Sequence, residues 1–150
     1  MKVRNAKISD AEVLARNNLL LAAESENMLL DPKTVLKGVK ALLSDRHKGF
    51  YIIAEEKGKI VGQLMITFEW SDWRNCTIWW LQSVYVEATS RNKGIFRALL
   101  KEVKKRTTKA IVMDLRLYVH KSNKKAMAAY KGTGFSQKPY LIYGTKTDLS

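Results

Sequence analysis

The segment "TIWWLQSVYV", Thr77 to Val86, limits the fold more than any other part of the chain. Its β-branched and aromatic residues favour a strand, and no alternation sets a polar face against an apolar one. A strand of that kind belongs in the middle of a sheet, covered on both faces. Next comes "EATSRNKGIFRALL" (87–100), where Arg91, Lys93 and Arg97 surround Gly94 at the start of a helical pattern. Ile95, Leu99 and Val103, with Phe96 and Leu100, form one apolar stripe, while Arg97, Lys101, Lys104 and Lys105 face away. A helix start carries unpaired N–H groups and the positive end of the helix dipole, and glycine lets a ligand approach the backbone. A solvated basic turn would look the same in isolation. The apolar strand running directly into it favours an anion site.

The other segments supply the layers such a strand needs. "KVRNAKI" (2–8) reads as a first strand. Ser9 and Glu12 have capping-box spacing before a helix over 11–25. Asp31-Pro32 opens a second helix with Val35, Leu36, Val39, Leu42 and Leu43 on one face. Residues 49–70 read as a hairpin turning near Lys57-Gly58. After the basic helix come a strand (111–119), a short helix (123–132) and a closing strand region, "YLIYGTK" (140–146); a short extra strand after Phe135 would also fit. The order β-α-α-β-β-β-α-β-α-β predicts an α/β fold, a mixed sheet flanked by helices on both faces, as one domain over 1–150.

Composition removes several classes of function. The one cysteine, Cys76, excludes an intrachain disulfide, and His47 and His120 offer no metal-ligand spacing, so no metal is expected. No apolar run is long enough for a membrane span, and "MKVRNAKISD" lacks the apolar core of a signal peptide, so a cytoplasmic location is expected. Charge is the anomaly: 27 Lys plus Arg against 14 Asp plus Glu, a formal +13. Nucleic acid, an acidic partner or a polyanionic small molecule would each account for it.

Two segments together resemble the GNAT superfamily of N-acetyltransferases. In "VYVEATSRNKGIFRALL", Arg91 and Gly94 match the family's Arg/Gln-x-x-Gly-x-Gly/Ala at a helix start, whereas Phe96 departs from its second small residue and Asn92 replaces a common glycine. In "NKKAMAAYKGTGF", Asn123, Ala126, Tyr130, Gly134 and Phe135 match Asn-x-x-Ala-x-x-x-Tyr-x-x-x-Gly-Phe. The resemblance covers nearly the whole chain and implies a GNAT-like fold with acetyl-CoA as the acyl donor. It places the CoA pyrophosphate on the backbone of Arg91, Asn92, Lys93, Gly94, Ile95 and Phe96. It also implies that the strand ending Ser83-Val84-Tyr85-Val86 bulges and splays from its parallel neighbour near 111–119, freeing backbone to pair with pantetheine and polarise the thioester carbonyl. Asn123 and Tyr130 complete the implied cofactor-binding set.

The implied reaction is direct attack of an amine on the thioester. An amine of pKa about 10.4 must first lose a proton, which at pH 7 costs roughly 4.6 kcal/mol. The resemblance points to Tyr130 as the acid that protonates the leaving thiolate, since a phenol stays protonated at neutral pH. Glu69 is the favoured base, with Glu87 and a water relay as alternatives. All four tryptophans fall within residues 70–80, and Trp70 and Trp73 are candidates to wall an acceptor pocket, where an aromatic face suits a cationic amine. The acceptor is a small-molecule amine or a protein amino group, and a homodimer is open. Two other readings also stay open: a basic nucleic-acid-binding module, resting on "KEVKKRTTK" (101–109), and an acyl-CoA-binding domain without transfer activity. No zinc-finger or RNA-recognition spacing supports the former.

Overall fold

Among the described residues, five strands make a single sheet, each beside the next in chain order: β1 (Lys2–Asn5), β2 (Phe50–Glu56), β3 (Lys59–Ser71), β4 (Cys76–Val86) and β5 (Val112–Leu117). Neighbours from β1 to β4 run antiparallel, and β4 pairs with β5 in parallel. The sheet is therefore mixed, as the element order predicts. The computed structural model describes residues 1–149. They form two units: Met1–His120, with the sheet and helices α1 (Ala11–Glu26), α2 (Pro32–Leu43) and α3 (Ile95–Ala110), and the described residues from Lys121 onward, with α4 (Lys124–Lys131).

Local chemistry accounts for most element ends. Lys57 and Gly58, at φ 48° and 76°, turn β2 into β3 with the two positive-φ residues of a tight hairpin. The Asp31 carboxylate accepts the Thr34 N–H at 2.8 Å and caps α2, with Pro32 in the first turn. The capping box expected from Ser9 and Glu12 is not used. A 3₁₀ turn at Ile8–Asp10 leads into α1 instead, and the Asp10 carboxylate accepts the Lys7 N–H at 2.7 Å. Arg4 donates to both Asp10 and Glu55, and its hydrogen bond holds the Asp10 carboxyl below the usual carboxylate range. β1 ends at Asn5 rather than at residue 8, since the chain turns there into that network.

Two adjacent residues of β3 show how the layers are arranged. A Cβ added at Gly62 would lie 2.5 Å from Ile95 Cγ2 of α3. The next side chain, Gln63, bonds Asn17 and Asn18 of α1. Neighbouring strand residues point to opposite faces, so α1 and α3 cover opposite sides of the sheet. On the α1 side, Leu14 and Ala15 join Val39 and Leu42 of α2 and Tyr51 and Ile53 of β2. On the α3 side, Leu99, Leu100 and Val103 are buried, and Trp79 meets Phe50 edge-on with centroids 5.3 Å apart.

Two expectations need correction. The closing strand over 140–146 does not form, and no extra strand follows Phe135 among the described residues. Period and propensity mark a segment as able to be a strand, but a strand exists only through a hydrogen-bonded neighbour; Tyr143 is 88% exposed. β4 is also less uniformly buried than its composition suggests. Ile78, Trp79, Leu81 and Tyr85 are buried, whereas Trp80, Gln82, Ser83 and Val84 are half-buried. The cause is that β4 lies next to the sheet's last strand, and β5 ends before β4 does.

The Gly62–Ile95 approach yields a stability test. Gly62→Ala forces Ile95 or the β3 backbone to move and should destabilise the protein by about 1–3 kcal/mol, read as a lower urea midpoint with unchanged slope.

Candidate active site

The strand β4 changes its pairing on both sides within a few residues. Between the pairs Gln63↔Tyr85 and Met65↔Gln82, β3 contributes Leu64 alone while β4 contributes Ser83 and Val84. That is a β-bulge. Ser83 takes φ 49°, a left-handed conformation that costs a non-glycine residue about 1–3 kcal/mol. On the other side, pairing with β5 stops at Leu81↔Leu117. From Gln82 to Val86, backbone groups that face away from β3 therefore have no β5 partner. The bulge and the splay coincide.

Beyond Val86 the chain makes a 3₁₀ turn (Ala88–Ser90) and a tight loop into α3. Asn92 and Gly94 are left-handed, at φ 62° and 76°. Asparagine tolerates that conformation better than most residues, so its place where the family often has glycine is physically sound. Gly94 caps α3 without a side chain, and a Cβ there would meet nothing within 4 Å. The opening N–H groups of α3 have no carbonyl a turn earlier to bond, and left-handed turns of this kind make anion-binding concavities. Ile95 is buried and Phe96 half-buried. The loop's chemistry fits a pyrophosphate.

The basic side chains of this loop are bound to the protein. Arg91 Nε donates to the Val86 carbonyl at 3.0 Å, its guanidinium pairs with Glu24 of α1, and its Cζ lies 5.6 Å from the Tyr85 ring centroid. Tyr85 Oη is 3.4 Å from Glu24 Oε1. Burial pushes the Tyr85 hydroxyl above its ordinary pKa, and the Glu24 charge adds to the shift. Lys93 Nζ donates to the Thr89 carbonyl at 2.8 Å. Arg91 thus braces α1, β4 and the loop together.

Glu69, Trp70 and Trp73 lie at the far end of the β3–β4 hairpin. Glu69 is opposite Ile78, five residues from Ser83, which at about 3.4 Å per residue is roughly 17 Å along the strand. Its carboxylate accepts from Trp80 Nε1 at 3.2 Å and lies 3.6 Å from Arg116. Trp70 and Trp73 are 62% and 91% exposed at the hairpin tip. None of the three joins the loop. Glu87, the alternative base, follows β4 directly and lies 3.8 Å from Arg16.

In the second unit each matched residue has a local task. Asn123 Oδ1 accepts the Ala126 N–H at 3.2 Å and caps α4. The Tyr130 carbonyl accepts from Thr133 and Phe135 N–H, and Gly134 allows that reversal at φ 94°. The Phe135 ring meets Tyr130 edge-on at 6.0 Å. Burial holds the Tyr130 hydroxyl above the ordinary tyrosine pKa, so it is protonated at neutral pH.

Sequence reasoning missed four residues around the bulge. Glu24 is 67 positions from its partner Arg91, and nothing in the sequence joins them. Asn17, Asn18 and Gln63 did leave a trace, as amides inside the otherwise apolar runs "VLARNNLLLAA" and "IVGQLMI". Polar residues at core positions mark either an error of register or a buried network, and here they form a network.

Residues 18–135 match the model of the acetyltransferase (GNAT) family. A structure described as a possible acetyltransferase from Clostridium difficile 630 is 40% identical, with 97% of each chain covered and a TM-score of 0.90. A predicted acetyltransferase with acetyl-CoA from Clostridium acetobutylicum shares the fold at 19% identity, with 96% of this chain and 95% of that one covered and a TM-score of 0.80. An aminoglycoside antibiotic 6'-N-acetyltransferase from Acinetobacter haemolyticus does so at 14% identity, 98% and 99% coverage and a TM-score of 0.78. No curated protein sequence matches.

The loop geometry can be tested without a ligand. Asn92→Gly should leave stability within about 0.5 kcal/mol, whereas Asn92→Val should cost about 1–2 kcal/mol, because a β-branched residue resists the left-handed region. Denaturant midpoints of the two variants measure the difference.

Proposed function

The chain belongs to the GNAT family of acetyltransferases, and we propose that it transfers an acetyl group from acetyl-CoA to a primary amine of a small molecule or a protein in the cytoplasm. The main support is the coincidence in β4 of the bulge at Ser83 with the loss of β5 pairing after Leu81, directly before the glycine-capped start of α3. Acetyl-CoA supplies an activated acyl carbon and a good leaving group. No group of three metal-ligating side chains occurs among the described residues, and no helix there is long and apolar enough to cross a membrane.

The chain's own residues divide the work. The backbone of Val84, Tyr85 and Val86 would pair with the pantetheine arm, and an N–H there would polarise the thioester carbonyl. The N–H groups of residues 91–96 would hold the pyrophosphate, with Arg91 shaping the loop and Lys93 adding charge. Asn123 holds the start of α4 and so the helix that carries Tyr130. Tyr130 donates a proton to the departing sulfur, and its raised pKa keeps that proton in place through neutral pH. Glu69 sits too far along the hairpin to touch an amine at the bulge, which leaves Glu87, directly after β4, or a water to take the amine proton. Trp70 and Trp73 would contact a part of the acceptor remote from the reacting nitrogen.

Acetyl-CoA at about a hundred times its Kd should stabilise the protein by about 2.7 kcal/mol, seen as a raised Tm. Gly94→Asp should remove most of that shift, since it sets a carboxylate against the pyrophosphate. A wild-type protein with no shift at saturating acetyl-CoA would sink the donor assignment.

Tyr130→Phe isolates the acid, because the ring that meets Phe135 is kept. kcat should fall by about 10²–10⁴ while acetyl-CoA affinity holds, and the deficit should shrink with donors whose thiols leave more readily. Steady-state kinetics with a panel of amines measures this. Near wild-type kcat on acetyl-CoA would assign the proton to water.

A further inference from the structure

The polar residues buried between α1 and the sheet form one cluster that ends on the bulge. Gln63 is fully buried. Its Oε1 accepts from Asn17 Nδ2 at 2.9 Å, and its Nε2 donates to Asn18 Oδ1 at 2.8 Å. Asn18 Nδ2 donates in turn to the Tyr51 hydroxyl at 3.0 Å. Two contacts leave the cluster, and both reach the same residue. Gln63 Nε2 lies 3.4 Å from the Ser83 carbonyl, and the Ser83 side chain, beside the Tyr51 hydroxyl, acts against the upward push that burial gives its pKa.

Packing alone would not call for these groups. Leu14, Ala15 and Ile53 line the same layer, and Asn17 Oδ1 is buried without a hydrogen-bond partner among the described residues. Apolar side chains would fill that space and leave no such orphan. What the cluster supplies is directional support for a residue held at φ 49°.

We infer that Gln63 is a positioning residue for the acyl-donor site: with Asn18 and Tyr51 it holds Ser83 left-handed and so aims the backbone of residues 82–86 at the pantetheine arm. The inference rests on the donor reading above. Its essential bond has a fixed sense. Asn18 can turn its amide to suit a changed neighbour, but the Ser83 carbonyl only accepts and needs a donor from position 63.

Gln63→Leu and Gln63→Glu separate positioning from packing. Both are compared with wild type by amide hydrogen exchange of the ligand-free protein and by acetyl-CoA calorimetry, at about pH 5 and about pH 9.5, a range that spans the titration of a buried carboxyl. Burial keeps the Tyr51 hydroxyl above its ordinary pKa, so it stays protonated throughout. Gln63→Leu should raise exchange at residues 82–86 and weaken acetyl-CoA by about three- to tenfold at both pH values, the worth of one ordinary hydrogen bond. Gln63→Glu should match wild type when its carboxyl is protonated and can donate, and match Gln63→Leu once it ionises. Exchange that rises evenly through the sheet, or a Gln63→Glu protein indifferent to pH, would make Gln63 a packing residue and overturn the inference. Wild-type protein that binds no acetyl-CoA would instead sink the donor reading. The exchange measurement needs no ligand and would still decide whether Gln63 holds the bulge.

Discussion

β4 has to pair antiparallel with β3 and parallel with β5, and that double duty ends just before the strand takes on one extra residue. Across from Leu64 the strand carries both Ser83 and Val84, and the added twist of a bulge turns the last residues of β4 away from β5. Pairing with β5 has already stopped at Leu81. The direction of the next loop, the place where α3 starts and the freed edge of β4 all depend on this step. Two consecutive residues of β3 secure it from opposite faces. Gly62 lets Ile95 come close on one side, and Gln63 meets α1 and the bulge on the other.

Arg91 ties the site together by a route that its charge alone would not suggest. Its contacts are the Val86 carbonyl, the Glu24 carboxylate and the Tyr85 ring. Both partners in the ion pair are well exposed, so the pair itself adds little to global stability. Its value is geometric. It links the last turn of α1, the end of β4 and the loop before α3, three segments whose relative positions define the entrance to the splayed edge.

Regular periodicity was easy to read. The apolar stripe of α3, the inner face of α2 and the Lys57-Gly58 hairpin are all where the residue pattern placed them, because each depends on neighbours a few positions away. The glycine-capped turn into α3 was legible for the same reason: strand, glycine and helix start are contiguous. The bulge was implied by family resemblance, not by the residues, since Ser83 carries no local mark of a left-handed conformation. Glu24 and Arg91 meet only because the sheet brings α1 over β4. Residues 140–146 misled for the converse reason. "YLIY" has the composition of a strand, but composition cannot supply the neighbour that a strand requires.

Crowding all four tryptophans into the β3–β4 hairpin gives the protein an uneven optical map. Trp70 and Trp73 sit in water at the tip, so their emission is open to aqueous quenchers and insensitive to events in the core. Trp79 is buried against Phe50 and Phe68, so unfolding moves it from an apolar setting into water. Trp80 lies on the opposite face, tilted against Tyr118 and bonded to Glu69, three residues before the bulge. It is the indole best placed to sense a change in the path of β4. The intrinsic fluorescence of this chain is therefore a sum of three separate reports, and selective quenching of the two exposed rings would leave the two that watch the sheet.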